Sequence, residues 1–270
     1  MKEISFNRIK IHRIYALLLR HFFVFRRNLD HLTGVFYWPA INLLLWGLAS
    51  SYFESRLVQG SGIVFAIVSG IIFWIVVERG EVDVTFSLLQ ELWDRNLINL
   101  FVTPLTFLEW ICSFIVITIL KTFVSFLFAL FLAFILYQAN IFLYGVLIIP
   151  FGILFFMTGW WMGFFVAGLI LRYGAKVQAL AWTVPAVVAP FSAIYYPVSV
   201  LPGWAQYIAN ILPTSYVFEN MRQIIATGTF DVNKLLISLG LNLFYLLCAI
   251  VFLQRSFSKV LTTRGLGKVY

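Results

Sequence analysis

The residues best suited to proton transfer near neutral pH are three histidines, His12, His21 and His31, and all precede the first long apolar run. No His-containing dyad can therefore sit inside a bilayer-spanning segment. The metal-helix spacing His-Glu-x-x-His and the nucleophile turn Gly-x-Ser-x-Gly are both absent. Ser69-Gly70 is a lone pair of small residues, suited to helix packing. Cys112 and Cys248 lie in apolar runs without metal-ligand neighbours and read as small hydrophobes. Gly265-Leu266-Gly267-Lys268 has the wrong spacing for a phosphate-cradling loop. The expectation is no catalytic residue, no metal site and no cofactor on this chain, so that any ATP and Mg would be held by a partner.

The elements around these residues follow from composition. Of 270 residues, 62% are hydrophobic and 11% charged, against about 25% charged in a soluble domain. That excludes a soluble globular enzyme, a disordered chain and a disulfide scaffold. Charge-free intervals long enough for the ~20 residues of a membrane helix run over 31–53, 57–77, 122–171, 177–218 and 235–254. Gln138-Ala139-Asn140 divides the third. The fold predicted is an all-α integral membrane protein with six transmembrane helices, near 34–53, 61–80, 110–137, 141–171, 177–197 and 235–255. Pro197, Pro202, Gly203 and Pro213 interrupt the stretch before the last span, so it is predicted as a re-entrant or extracellular pair of short helices.

Domain organisation follows: residues 1–33 a cytoplasmic amphipathic helix, 34–255 the six-span domain, 256–270 a basic tail. Within the domain, a coupling segment falls at about 88–105 and a gate segment at about 198–222. With both termini inside, the inner segments hold fifteen basic residues and the outer ones three, which predicts cytoplasmic termini in a cell (inner or cytoplasmic) membrane. The excess of basic charge, +8 overall, sits mainly in the tails and points to anionic lipid rather than nucleic acid. No secretory signal is expected, because only six apolar residues precede Arg20. Instead Ile11, Tyr15, Leu18, Phe22 and Phe25 share one helical face and Arg13, Arg20 and Arg27 another, predicting an in-plane helix with arginines toward phosphates.

Lys121 is read as the one ionisable residue well inside a span, snorkelling or ion-paired, and no carboxylate is expected mid-span. That argues against an ion-coupled carrier. Between spans two and three, Leu88, Leu89, Leu92 and Trp93 form an apolar face, while Glu91 and Arg95 stand at i,i+4. A short amphipathic helix here would suit either a partner's groove or the membrane surface.

The chain resembles the permease subunits of ABC-2 type exporters, a group that handles O-antigen, teichoic acid, capsule, lipo-oligosaccharides and drugs. The resemblance covers essentially the whole length. It rests on the basic amphipathic helix, on Glu91-Leu92-Trp93-Asp94-Arg95-Asn96…Thr103-Pro104-Leu105, and above all on Tyr196-Pro197…Leu201-Pro202-Gly203-Trp204…Leu212-Pro213-Thr214-Ser215-Tyr216-Val217-Phe218-Glu219-Asn220-Met221-Arg222.

The resemblance implies that Glu91, Leu92, Trp93, Asp94, Arg95 and Asn96 form a coupling helix seated on an ABC ATPase, present in two copies. It also implies a second permease chain, expected as a homodimer, with the pathway between the two. Pro197, Pro202, Gly203, Trp204, Pro213, Tyr216, Glu219 and Arg222 would belong to an extracellular gate. Trp160, Trp161, Tyr195 and Tyr196 are candidate pathway aromatics, although Phe supplies 29 of the aromatic residues and needs no substrate. A lipid-linked glycan, a lipid and a hydrophobic drug all fit. A non-transporting membrane scaffold and an ion-coupled carrier are the alternatives.

Overall fold

The computed structural model describes residues 10–27, 32–57, 62–94 and 103–259, and among these the chain is helical with no strand. The helices are α1 (Ile11–Arg27), α2 (Trp38–Leu57), α3 (Ile63–Trp93), α4 (Phe107–Tyr137), α5 (Ile148–Tyr173), α6 (Leu180–Val188), α7 (Gly203–Ile211), α8 (Pro213–Thr227) and α9 (Val232–Lys259). A π-helical turn, Thr33–Tyr37, leads into α2, and a 3-10 turn, Ile141–Leu147, leads into α5.

Helix ends follow local chemistry. Thr106 and Glu109 form a capping box at the start of α4, each side chain accepting the other's backbone N–H, at 3.2 and 2.9 Å. The Glu54 carboxylate of α2 reaches across and accepts from Gly62 N and Val64 N at 3.1 and 3.2 Å, placing negative charge on the first turn of α3. Pro213 occupies the first turn of α8, and Gly228 closes it at φ +69°.

Four helical stretches have the length and apolar composition to cross a membrane: α3, α4, the Ile141–Tyr173 stretch containing α5, and α9. Helix α2 matches the span expected near 34–53 in position, but Asn42, Ser50, Ser51 and Glu54 dilute its apolar character. The stretch 177–197 is not one helix. It runs as a 3-10 turn (Ala175–Val177), the nine-residue α6 and a second 3-10 turn (Ala189–Phe191). Pro185 and Pro190 each remove a backbone donor there.

Helix α3 is the hub. In its apolar window 67% of residues are buried, against 17% in α9, and it packs on α2, α4 and α5 while α9 packs on the far side of α5. The α3–α5 crossing is close because it is made by glycines. A Cβ on Gly159 would lie 2.6 Å from Val77 O, and one on Gly163 would lie 2.9 Å from Glu81 O. Gly159 and Gly163 form a small-xxx-small pair that brings the two backbones together.

Two arginines of the basic face of α1 find carboxylates within the chain. Arg13 pairs with Glu109 at 3.3 Å, and Arg20 pairs with Glu91 at 2.7 Å. Arg13 also donates to Pro104 O, and Lys10 N donates to Glu109 at 2.8 Å. Leu17 enters the core, while Ile11, Tyr15 and Phe23 stay exposed, as an acyl-facing side would. The carboxylates that receive these arginines, Glu109 and Glu91, are themselves buried. Replacing Arg20 with glutamine should loosen α1 by about 1 kcal/mol, since this pair is partly exposed. Limited proteolysis should then cut within α1 several-fold faster, and an unchanged rate would mean the ion pair does not hold α1.

Candidate functional site

No carboxylate is expected mid-span, with the second span ending near residue 80, but the helix there runs on to Trp93 and takes several charges into its middle. Helix α3 is continuous for 31 residues, about 46 Å, and carries Glu78, Arg79, Glu81 and Asp83 inside the bundle. Glu81 and Asp83 are 0% and 2% exposed. The sequence masks this because Glu78 ends an uncharged run, so the charges read as the start of a loop.

These residues point to different sides of α3. Asp83 accepts a hydrogen bond from Arg79 one turn earlier and lies 3.6 Å from Lys121 of α4. Lys121 stands 14 residues into α4, about 21 Å along its axis, and its ammonium pairs with Asp83 within the bundle. The Arg79 guanidinium packs on Gly34, where a Cβ would come within 2.7 Å of it. Glu81 accepts from Thr85 at 3.0 Å, its backbone abuts Gly159 and Gly163, and its Oε2 is buried with no hydrogen-bond partner among the described residues. Glu78 makes no ion pair among the described residues. Buried ionisable groups in membrane helices are costly and commonly mark function.

Two cavities lie along the face of α3 that α5 leaves uncovered. One, of about 460 Å³, is lined by Trp46, Trp74, Glu78, Trp182, Tyr195 and Tyr196 among others. The other, of about 490 Å³, includes Trp38, Arg79, Asp83, Phe86, Trp93 and Trp182. Trp182 of α6 belongs to both and contacts Phe86 edge-on at 5.1 Å. Ile71, Ile75, Glu78, Val82, Phe86, Gln90 and Trp93 recur at three or four residues, which is why one stripe of α3 faces both.

No protein-family model and no curated protein matches this chain. The site is therefore read from its own chemistry.

Of the four candidate pathway aromatics, Tyr195 and Tyr196 line the first cavity and Trp160 and Trp161 line neither. Trp161 packs on Tyr245 at 5.0 Å and Trp160 on Phe156 at 5.6 Å, as helix-packing residues. Trp46, Trp74 and Trp182 were missed, because aromatic residues alone do not reveal which helical face turns inward. Among the described residues no group of three or more His, Cys, Asp or Glu could hold a metal ion.

The coupling segment also differs from expectation. Leu88 to Trp93 are the last turns of α3 rather than a separate helix, and Arg95 and Asn96 lie outside the described residues. Leu88, Leu89 and Leu92 are buried in the chain's own core, and Glu91 is taken by Arg20. Leu92 is thus not available to a partner's groove, whereas Trp93, 53% exposed, and Asp94 remain at the surface.

Most of the residues expected to form a gate lie on or beside a pair of short helices, α7 and α8, with Pro197 preceding them. Glu219 accepts from Val198 N at 2.7 Å and from Arg222 at 3.2 Å, tying the loop after Pro197 to α8. Burial lowers the Arg222 pKa and Glu219 partly opposes this. Tyr216 donates to Asn210 O at 2.8 Å, and Ser238 of α9 donates to Pro213 O at 2.9 Å. Pro202 precedes α7, Gly203 opens it, and Trp204 is exposed with its ring edge-on to Phe191.

Proposed function

We propose that the chain is the permease subunit of an ATP-driven exporter of the ABC-2 type, with six crossings, α2 and the broken α6 segment supplying the two beyond the four long apolar helices. Both termini are cytoplasmic, two chains flank the pathway, and a separate ATPase present in two copies supplies energy. The observation that carries this reading is the stripe of α3 that lines two cavities from Ile71 to Trp93 and ends at an exposed Trp93-Asp94 surface. A rigid helix with a pathway along its side and a docking surface at its tip can transmit a push from a partner to the pathway. Trp93 and Asp94 replace Leu92 and Glu91 as the contacts expected to meet the ATPase. The motif from Leu201 to Arg222 supports a closing role for α7 and α8 at the outer mouth.

Gentle solubilisation of the tagged chain from native membranes should bring down a stoichiometric ATPase, with hydrolysis in the complex. Changing Trp93 and Arg95 to alanine should lower substrate-stimulated hydrolysis at least tenfold while the bundle stays folded. A chain that emerges clean even after mild crosslinking removes the motor and favours a scaffold. An ion-coupled carrier is the second reading, favoured by the buried Glu81, Asp83 and Lys121 and by the half-buried Glu78 at the cavity wall. It predicts uptake into liposomes holding the purified chain alone, driven by an ion gradient without ATP.

A further inference from the structure

We propose that the cavity containing Tyr195 is a binding site for an amphiphilic organic cation, with Glu78 as its counter-ion and the Trp46, Trp74, Trp182, Tyr195 and Tyr196 rings as its walls. The lining holds one carboxylate and no lysine, arginine or histidine. Arg79 and Lys121 both form their ion pairs with Asp83 in the neighbouring cavity, and Arg79 acts on Glu78 only through space, without an ion pair between them. Glu78 thus brings a negative charge to an aromatic cavity without an ion-pair partner among the described residues. Leaving that carboxylate desolvated is costly, and a ligand that brings positive charge removes the cost.

The walls suit the same ligand. Aromatic faces carry negative potential and attract alkylammonium and related cations. Trp46 and Tyr195, both in the lining, stack on each other at 4.3 Å with 26° between their planes. Tyr196 donates its hydroxyl to Pro190 O at 2.8 Å, which fixes the ring. The volume of about 460 Å³ accepts one small-molecule ligand. A glycan fits less well, because its hydroxyls would find mainly Asn42 and Glu78 as side-chain partners beyond the ring N–H and O–H groups. An anion would meet Glu78, and a neutral apolar ligand would leave it unpaired.

Binding requires no ATPase, although the idea that this cation is also transported rests on the exporter reading. The test is equilibrium dialysis of tetraphenylphosphonium against the purified full-length chain in lipid nanodiscs, with empty nanodiscs as background. Tetraphenylborate serves as the anion of the same shape, and maltoheptaose as the glycan. The expected result is one saturable phosphonium site per chain, with no borate or saccharide binding above background. Glu78→Gln should weaken it at least tenfold and Trp182→Leu several-fold, with both variants eluting as the wild type on size exclusion. If Glu78→Gln fails to fold, Trp182→Leu and the phosphonium–borate contrast decide. Equal binding of the two ions, an unchanged affinity in Glu78→Gln, or competition by the saccharide would overturn the proposal. A missing ATPase partner in the co-purification would sink the exporter and leave this site standing.

Discussion

Replacing Asp83 with asparagine should destabilise the bundle by about 3–5 kcal/mol, the usual cost of removing one partner from a buried ion pair. Asp83 is 2% exposed and lies between Arg79 and Lys121, whose side chains are each 9% exposed. Its loss leaves two like charges near each other in a low-dielectric interior. The same reasoning predicts a rescue. Changing Arg79 and Lys121 to methionine together with Asp83→Leu removes all three charges at similar volume, and buried clusters replaced in this way often hold or gain stability. Unfolding midpoints in detergent, measured for the single and triple variants, give the comparison. A single variant within about 1 kcal/mol of wild type would mean that water or lipid headgroups reach the cluster. A stable triple variant that no longer transports would mark these charges as functional rather than structural.

The second large effect is at the α3–α5 crossing. Gly159→Ala should destabilise by about 2 kcal/mol, even though alanine is the better helix former by ~1 kcal/mol. The added methyl would sit 2.6 Å from Val77 O and 2.9 Å from Gly80 Cα, and both are backbone atoms that cannot turn aside. The helices must separate, and Glu81, which lies against the same contact, moves with them. Gly152 is the matched control on α5, because a methyl there meets nothing within 4 Å. Gly152→Ala should be neutral or stabilise by up to ~1 kcal/mol. Thermal unfolding of both variants tests the geometry, and equal behaviour of the two would show that the close approach does not exist.

Much of the helical layout was legible because helix formation is local. The uncharged runs anticipate α2, α4, α5 and α9 with few errors, and Gln138-Ala139-Asn140 marks the break where Gln138 takes φ +53°. The prolines from Pro197 to Pro213 anticipate the paired short helices α7 and α8. Two boundaries failed for a physical reason. Helix α3 continues past Glu78 to Trp93, because Lys121 of α4 and, one turn along α3 itself, Thr85 receive charges that would otherwise end a membrane helix. The 177–197 stretch breaks because two prolines outweigh its uniform hydrophobicity.

The candidate site was less legible. Tyr195 and Tyr196 were anticipated, whereas Glu78, Trp46, Trp74 and Trp182 emerge only when α2, α3 and α6 come together. Glu91 pairs with Arg20, 71 residues away, a contact that spacing along the chain does not reveal. Arg13 and Glu109 meet across 96 residues. By itself, then, the sequence determined the class of protein, the positions of most helices and the lack of a phosphate-cradling motif. All of these depend on composition or on neighbours within a few turns. Which charges are buried together, which aromatic rings wall a cavity and which face of α3 stays uncovered were decided by tertiary structure. A helix presents several faces, and only its packed neighbours select among them.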